Sequence, residues 1–337
     1  MILRPKPLPS RLTSRGAAAS AAPGATVPAW LRRAVPDPQS LAGKQVEDVA
    51  LTAGAVLGAL DAVVRRQERW AGAWRQRLAL AAAAVTAQQA ARVEDEAALR
   101  DAALLTKAGD DVGPAGRMLL AWRRLATLPP EDLLTGKNLG AVPEEFGHAS
   151  DGEAINELLG ELHRLSAGGI VEMVTGAFTA AEQYGVGRAV GAWLADALVA
   201  QRLGWTHAVP LLGAEVNAGR GASRPRRFGT AILAGMEDKG AQVKSLLAAQ
   251  ARAALRAVDL SSELGRRSER LLAVAPKLRA RASDLVVERL LSDDAIVASE
   301  NIAGMSDRGL RRLFDRLVEL GVVRELSGRP TFRIYGL

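Results

Sequence analysis

From Gln45 to about Arg281 the apolar residues of this chain return every three or four positions, and only beyond Val322 do they alternate with polar ones. A 3.6-residue period commits a chain to helices and a period of two to strands. The expected fold is therefore mainly α: a multi-helix, bundle-like body followed by one small β element at the C-terminus. The first long helix spans Gln45 to Arg66, with Val46, Val49, Ala53, Leu57, Leu60 and Val64 as its apolar stripe. Gly54 and Gly58, like Ala55 and Ala59, lie one turn apart, the spacing at which a second helix can approach closely.

A second helix is expected from Trp70 to about Arg92, burying Trp70, Trp74, Leu78, Ala81 and Val85. The third runs from about Glu94 to Thr106. Its opening acids, Glu94, Asp95 and Glu96, complement the positive end of a helix dipole, and we read them that way rather than as a metal site. Gly113-Pro114 starts a fourth helix through Trp122, which Pro129-Pro130 ends. Residues 129–152, rich in Gly and Pro, read as an internal boundary or a long surface loop. Helices resume over 153–166, 169–183 and 187–203. Segments 54–70 and 191–205 share a Gly-Ala-x-Leu, Asp-Ala, Arg, Trp order. That order reads as a diverged repeat of one helical unit, or as chance likeness between Ala-rich helices.

The absence of cysteine excludes disulfides, thiolate metal sites and a cysteine nucleophile. With only His148, His163 and His207, histidine chemistry is nearly excluded too; His163 is expected to be a partly buried structural residue. At 337 residues the chain can bury a sizeable core without such staples. Residues 1–40, with Pro5, Pro7 and Pro9 among basic residues, read as a flexible basic tail rather than an export signal. The apolar run Val49 to Val64 contains Asp61 and is shorter than the roughly 20 residues a bilayer span needs. No membrane association is expected, and a cytoplasmic location follows by default. The organisation reads as this tail, a helical body over 41–278 and a C-terminal unit over 279–337.

The balance of 44 Lys/Arg against 37 Asp/Glu is uneven along the chain. Residues 219–281 carry an excess of about nine positive charges, beginning with Arg220, Arg224, Arg226 and Arg227 on a Gly/Ser/Pro loop. Helices expected over 229–257 and 261–281 would lay the remainder along exposed faces. Such a patch suits an anionic partner, nucleic acid above all, or is simply a solvated basic helix pair.

The most specific pattern lies at the end. A helix ends near Leu291, a short one is expected near Ile296 to Ile302, and Gly304-Met305 makes a turn. Ser306 is the N-cap candidate of a third helix. Leu310, Leu313, Phe314, Leu317 and Leu320 form its buried stripe, while Arg308, Arg311, Arg312 and Arg316 share the other face with Asp307 and Asp315. Gly321 is placed to end it in a left-handed conformation. Strands Val322 to Leu326 and Thr331 to Tyr335, joined through Ser327-Gly328-Arg329-Pro330, complete a hairpin in which Phe332 and Ile334 face inward. This is the order of a winged helix-turn-helix. Its third helix can lie in a major groove with arginine forks on guanine, and Arg329 at the hairpin tip can reach a phosphate. The candidate DNA-binding residues are Ser306, Arg308, Arg311, Arg312 and Arg329. Acids on the same helix leave it only weakly basic, so a protein-docking or dimerising role stands as the alternative.

The ending RRLFDRLVELGVVRELSGRPTFRIYGL, with AGAVLGALDAVV, WAGAWRQRLAL, EDEAALRDA and GRAVGAWLADALVAQRLGW upstream, resembles a bacterial family known only as domain of unknown function 1403, often found on plasmids. The resemblance spans essentially Trp30 to Leu337 and implies no catalytic or binding residues. A plasmid setting implies transcriptional control, maintenance or partition. The ending is also similar to the winged-helix tails of Fic-type proteins, but the Fic His-Pro-Phe and Gly-Asn-Gly-Arg signatures are missing, so no AMP transfer is implied.

Enzyme readings rank lower. GVGRAVG (185–191) lacks the strand a dinucleotide loop requires and reads as a tight helix-packing site. There is no P-loop and no nucleophile elbow. Asp110-Asp111 and Asp293-Asp294 are adjacent acids in expected turns. We therefore expect a non-enzymatic protein without cofactor or metal. Its expected partner is double-stranded DNA, with a homodimer or a protein partner through the winged unit as further options.

Overall fold

A computed structural model describes residues 27–107, 109–149, 151–215, 231–280, 282–329 and 331–337. Among the described residues the protein is mainly helical, with one small sheet near its C-terminus. The helices are α1 (Ala29–Ala34), α2 (Val46–Val64), α3 (Ala71–Gln89), α4 (Glu96–Leu105), α5 (Gly113–Thr127), α6 (Pro130–Leu133), α7 (Gly136–Glu145), α8 (Gly152–Ser166), α9 (Ile170–Gln183), α10 (Gly187–Leu203), α11 (Ala231–Val274), α12 (Ser283–Ser292) and α13 (Asp307–Glu319). The strands are β1 (Ile296–Val297), β2 (Arg324–Glu325) and β3 (Ile334–Gly336).

The centre of the body is α3. It is not a one-faced helix: Ala73, Ala79, Leu80, Ala82, Ala83 and Ala87 are buried on several sides, whereas Ala81 and Val85, expected inside, are only half-buried. Alanine makes this possible, because small side chains let neighbouring helices pack against every face at little loss of chain entropy. Helix α5 lies along α3, α2 pairs with α11, and α9 pairs with α10. Buried indoles tie these layers together. Trp74 Nε1 donates to the carbonyl of Ala257 at 2.9 Å, Trp193 Nε1 to Ala121 at 2.9 Å, and Trp122 Nε1 to Thr86 Oγ1 at 3.1 Å. A buried indole N–H usually finds an acceptor, because leaving it unmet is costly.

Several expectations change. The segment expected as a tail is folded from Val27 onward: Val27 and Leu31 are buried, and Arg32 pairs with Asp259. Residues 129–152, expected as a boundary or loop, contain α6 and α7, whose Leu133, Leu139, Val142 and Pro143 enter the core. The break expected near residue 259 is absent, and α11 is one continuous helix through that point. Gly54 and Gly58 lie on the exposed face of α2 with nothing against them among the described residues, so that stripe packs no described helix. Close packing does occur at Gly191, where an added Cβ would stand 3.1 Å from the Phe178 Cα. The likeness of 54–70 and 191–205 is not matched in environment. Asp61 accepts from Trp205, while Asp196 is buried against the Leu211 and Leu212 backbone.

The C-terminal unit also differs in one element. The short helix expected over Ile296 to Ile302 does not form; Ile296 and Val297 make β1, and turns follow it. These two β-branched residues pair antiparallel with Tyr335 and Ile334, making β1 the third strand of a sheet ordered β1-β3-β2. On the other side Arg324 pairs with Gly336 and Glu325 with Tyr335. Strand β3 is thus central and buried on both faces, and the expected two-stranded hairpin is a three-stranded sheet. Tyr335, expected on the outer face, stacks on Phe314 of α13 at 4.3 Å. Phe332, expected inside, is exposed.

Candidate nucleic-acid interface

Helix α13 begins as its sequence requires. Ser306 is the N-cap, its hydroxyl accepting from the Gly309 N–H at 3.2 Å. Leu310, Leu313, Phe314 and Leu317 are buried, with Leu320 more than a third exposed at the last turn. Gly321 follows at φ +66°, a conformation that carries little penalty only without a Cβ. The chain therefore turns directly into Val322 and Val323, which are buried.

Arg308, Arg311 and Arg312 are exposed, and none makes an ion pair or hydrogen bond among the described residues. The acids that dilute the charge of this helix are largely engaged. Glu319 is held by Arg316 at 3.1 Å, and Asp315 faces Arg333 at 3.9 Å. Asp307 lies in the first turn, where the helix dipole stabilises it. The surplus on the outer face is the three-arginine row.

Arg329 is placed differently. Its Nη2 lies 2.5 Å from Asp101 Oδ2 on α4, so the hairpin tip is folded against the body rather than projecting with a free cation. Arg220, Arg224, Arg226 and Arg227 lie outside the described residues.

The basic helix α11 spends much of its charge internally. Arg252 and Arg256 both pair with the buried Glu215, and Arg252 also donates to the Pro36 carbonyl. Lys244 donates to the Lys44 carbonyl, and Arg267 pairs with Glu263 and donates to the Leu337 carbonyl. Net charge along a sequence does not distinguish such internal pairs from a free electrostatic face.

The unit is seated on the body by a residue that the sequence shows only as one of two adjacent acids in an expected turn. The Asp294 carboxylate is fully buried between Arg77 of α3 and Arg100 of α4, with Arg100 Nε 2.5 Å from Oδ2. Burial pushes its pKa up, but the two guanidinium charges and their hydrogen bonds outweigh this and hold it below the ordinary carboxylate value. Arg77 and Arg267 both donate to the Leu337 carbonyl, at 3.5 and 3.0 Å. At Gly72 on α3 an added Cβ would lie 2.6 Å from the Ser292 carbonyl oxygen, so α12 meets α3 backbone to backbone. An adjacent Asp-Asp pair carries no periodic signal; only the folding of α3 and α4 around it marks Asp294 as buried. His163, expected as a partly buried structural residue, is exposed on α8. No cluster of acids and histidines capable of holding a metal occurs among the described residues, and no helix there is long and apolar enough to cross a membrane.

The fold defines a mainly helical protein carrying a C-terminal helix-and-sheet unit with an exposed arginine row. The chain belongs to a family described as a protein of unknown function (DUF1403), which matches residues 17–337. No curated protein matches the sequence.

Proposed function

We propose that the C-terminal unit is a winged-helix variant that contacts double-stranded DNA through α13. The protein would then be a regulatory or maintenance factor of a plasmid or mobile element, acting in the cytoplasm. The observation that carries this reading is the exposed row Arg308, Arg311 and Arg312 without ion-pair partners among the described residues. Most other arginines with a described environment are engaged by acids or carbonyls. Arginines left free on one face of a capped, well-supported helix suit bidentate contact with guanine edges or phosphates. Ser306, exposed at the N-terminus of α13, lies at the end from which phosphate contacts are made. The short helix expected before α13 is a pair of turns after β1, and α13 is braced on the sheet through Phe314, which stacks on Tyr335. The regulatory and plasmid setting rests on the family resemblance, not on the residues.

Docking on another protein is the second reading. It draws on the exposed Val318 and Leu320 at the end of α13, next to the arginine row.

The test is fluorescence anisotropy of the full chain on duplex DNA across a salt series. Replacing Arg311 and Arg312 with Ala is expected to weaken binding by about 1–3 kcal/mol for each base edge that is no longer read. The salt slope should flatten for each phosphate that is no longer neutralised. Unchanged affinity with an unchanged slope removes α13 as the reader.

A further inference from the structure

Between α3, α4 and α5 on one side and α12 and β1 on the other lies a cavity of about 500 Å³. That is within the roughly 300–1,000 Å³ typical of small-molecule sites. Its walls come from both the body and the C-terminal unit, and two of its polar residues have no partner among the described residues. Gln76 of α3 is only 7% exposed, and its amide makes no hydrogen bond there. Arg123 of α5 forms no ion pair there either, and its buried Nε has no acceptor. Burial pulls the Arg123 pKa down, countered only by the more distant charges of Asp294 and Asp293. Of the described lining, the Arg123 Nε is the buried polar atom without a partner, and leaving a buried cation's donor unmet is costly.

The neighbouring acids are already taken. Both Asp294 oxygens are held by Arg77 and Arg100, and Asp293 and Glu300 are held by Arg289 at 3.1 and 3.0 Å. Arg100 also faces Glu96 at 3.6 Å, so Arg77, Arg100 and Arg289 all have carboxylate partners, and Arg123 is the arginine of this group without one among the described residues. The rest of the lining includes Leu104, Val297 and Phe332. Phe332 is 64% exposed and sits at φ +55°, a conformation unfavourable for a bulky side chain. Strain of that kind persists at ligand sites and switch segments more than elsewhere.

We propose that this cavity binds a small organic monocarboxylate. Its single negative charge rests on the Arg123 guanidinium, the Gln76 amide donates to it, and an apolar or aromatic remainder lies against Val297 and Phe332. A single carboxylate is the partner that Arg123 lacks; a multiply charged anion would meet Asp293 and Glu300. Because the ligand touches both sides, it stabilises the seating of the C-terminal unit on the body. The site does not depend on α13 contacting DNA.

The full chain is titrated with phenylacetate, with neutral phenylacetamide and with inorganic phosphate, following calorimetric binding and the thermal midpoint. Phenylacetate is expected to bind and raise the midpoint, and phenylacetamide to bind about tenfold more weakly or worse. Phosphate is expected to leave the midpoint unmoved. The Arg123→Met variant is expected to keep or raise its midpoint without ligand and to bind phenylacetate about tenfold or more weakly. No binding of phenylacetate, equal binding of phenylacetamide, or a phosphate shift as large as that of phenylacetate overturns the proposal. So does a folded Arg123→Met protein of unchanged affinity. If that variant does not fold, Gln76→Leu decides: weakened binding supports the site and unchanged binding overturns it.

Discussion

Asp294 and Arg100 stand 194 positions apart in sequence, yet Arg100 Nε lies 2.5 Å from Asp294 Oδ2 with the carboxylate excluded from solvent. With Arg77 on its other side, Asp294 joins the C-terminal unit to α3 and α4. Removing one member of a buried ion pair leaves the others desolvated and unpaired. Asp294→Asn is therefore expected to cost about 3–5 kcal/mol, measured by urea denaturation. The native pKa of Asp294 is depressed, so its contribution is present above the unfolded value near 3.8 and lost as pH falls through the lower folded value. Wild-type protein should lose stability on acidification below about pH 4 more steeply than Asp294→Asn.

Asp196 behaves oppositely. Burial raises its pKa to about 8, against the pull of the Leu211 and Leu212 N–H groups that it accepts. A raised carboxylate binds its proton in the native state while the unfolded chain has lost it. The stability it contributes is full below about pH 4 and declines as pH rises toward 8. While the two states differ by one proton, the decline is about 1.4 kcal/mol per pH unit. Asp196→Asn should flatten this slope, read from denaturation midpoints at pH 5, 6, 7 and 8. A slope equal to that of the wild type would show that Asp196 does not hold the proton.

Gly72 reports on the same seating without charge. A methyl group there would meet the Ser292 carbonyl oxygen at 2.6 Å. Both partners are backbone and cannot rotate away, so Gly72→Ala is expected to cost about 1–3 kcal/mol. It should also expose α12 to limited proteolysis before the body unfolds. Gly54→Ala, on an open face, should be neutral or slightly stabilising.

Arg329 and Asp101 form a partly exposed pair, so Asp101→Ala should change stability by no more than about 1 kcal/mol. If the hairpin tip joins α13 on DNA, freeing Arg329 should tighten duplex binding and steepen its salt dependence. Anisotropy on the variant checks this, and unchanged binding would leave α13 without help from the tip.

Much of the architecture is legible in local pattern. The stripe of α13, its Ser306 cap and the left-handed Gly321 depend on residues within a few positions of one another, and each occurs as read except that Leu320 at the end of the stripe is more than a third exposed. The helix expected over Ile296 to Ile302 does not form because a short apolar run has no helical commitment of its own, and pairing with β3 decides it. Nor does the face of α3 follow from its period. An Ala-rich helix offers little amphipathic contrast, and what surrounds it sets which residues are buried.

Helical class, capping and the arginine row of α13 belong to the sequence, because each is set by spacing along one segment. Which charges remain available was decided by tertiary structure. The chain does not record that Arg252 would meet Glu215, that Arg329 would meet Asp101, or that Asp294 would be enclosed by two arginines while Arg123 was left without a partner among the described residues. A charge takes its energy from the dielectric and counter-charges around it in space, and those are fixed only when distant segments come together.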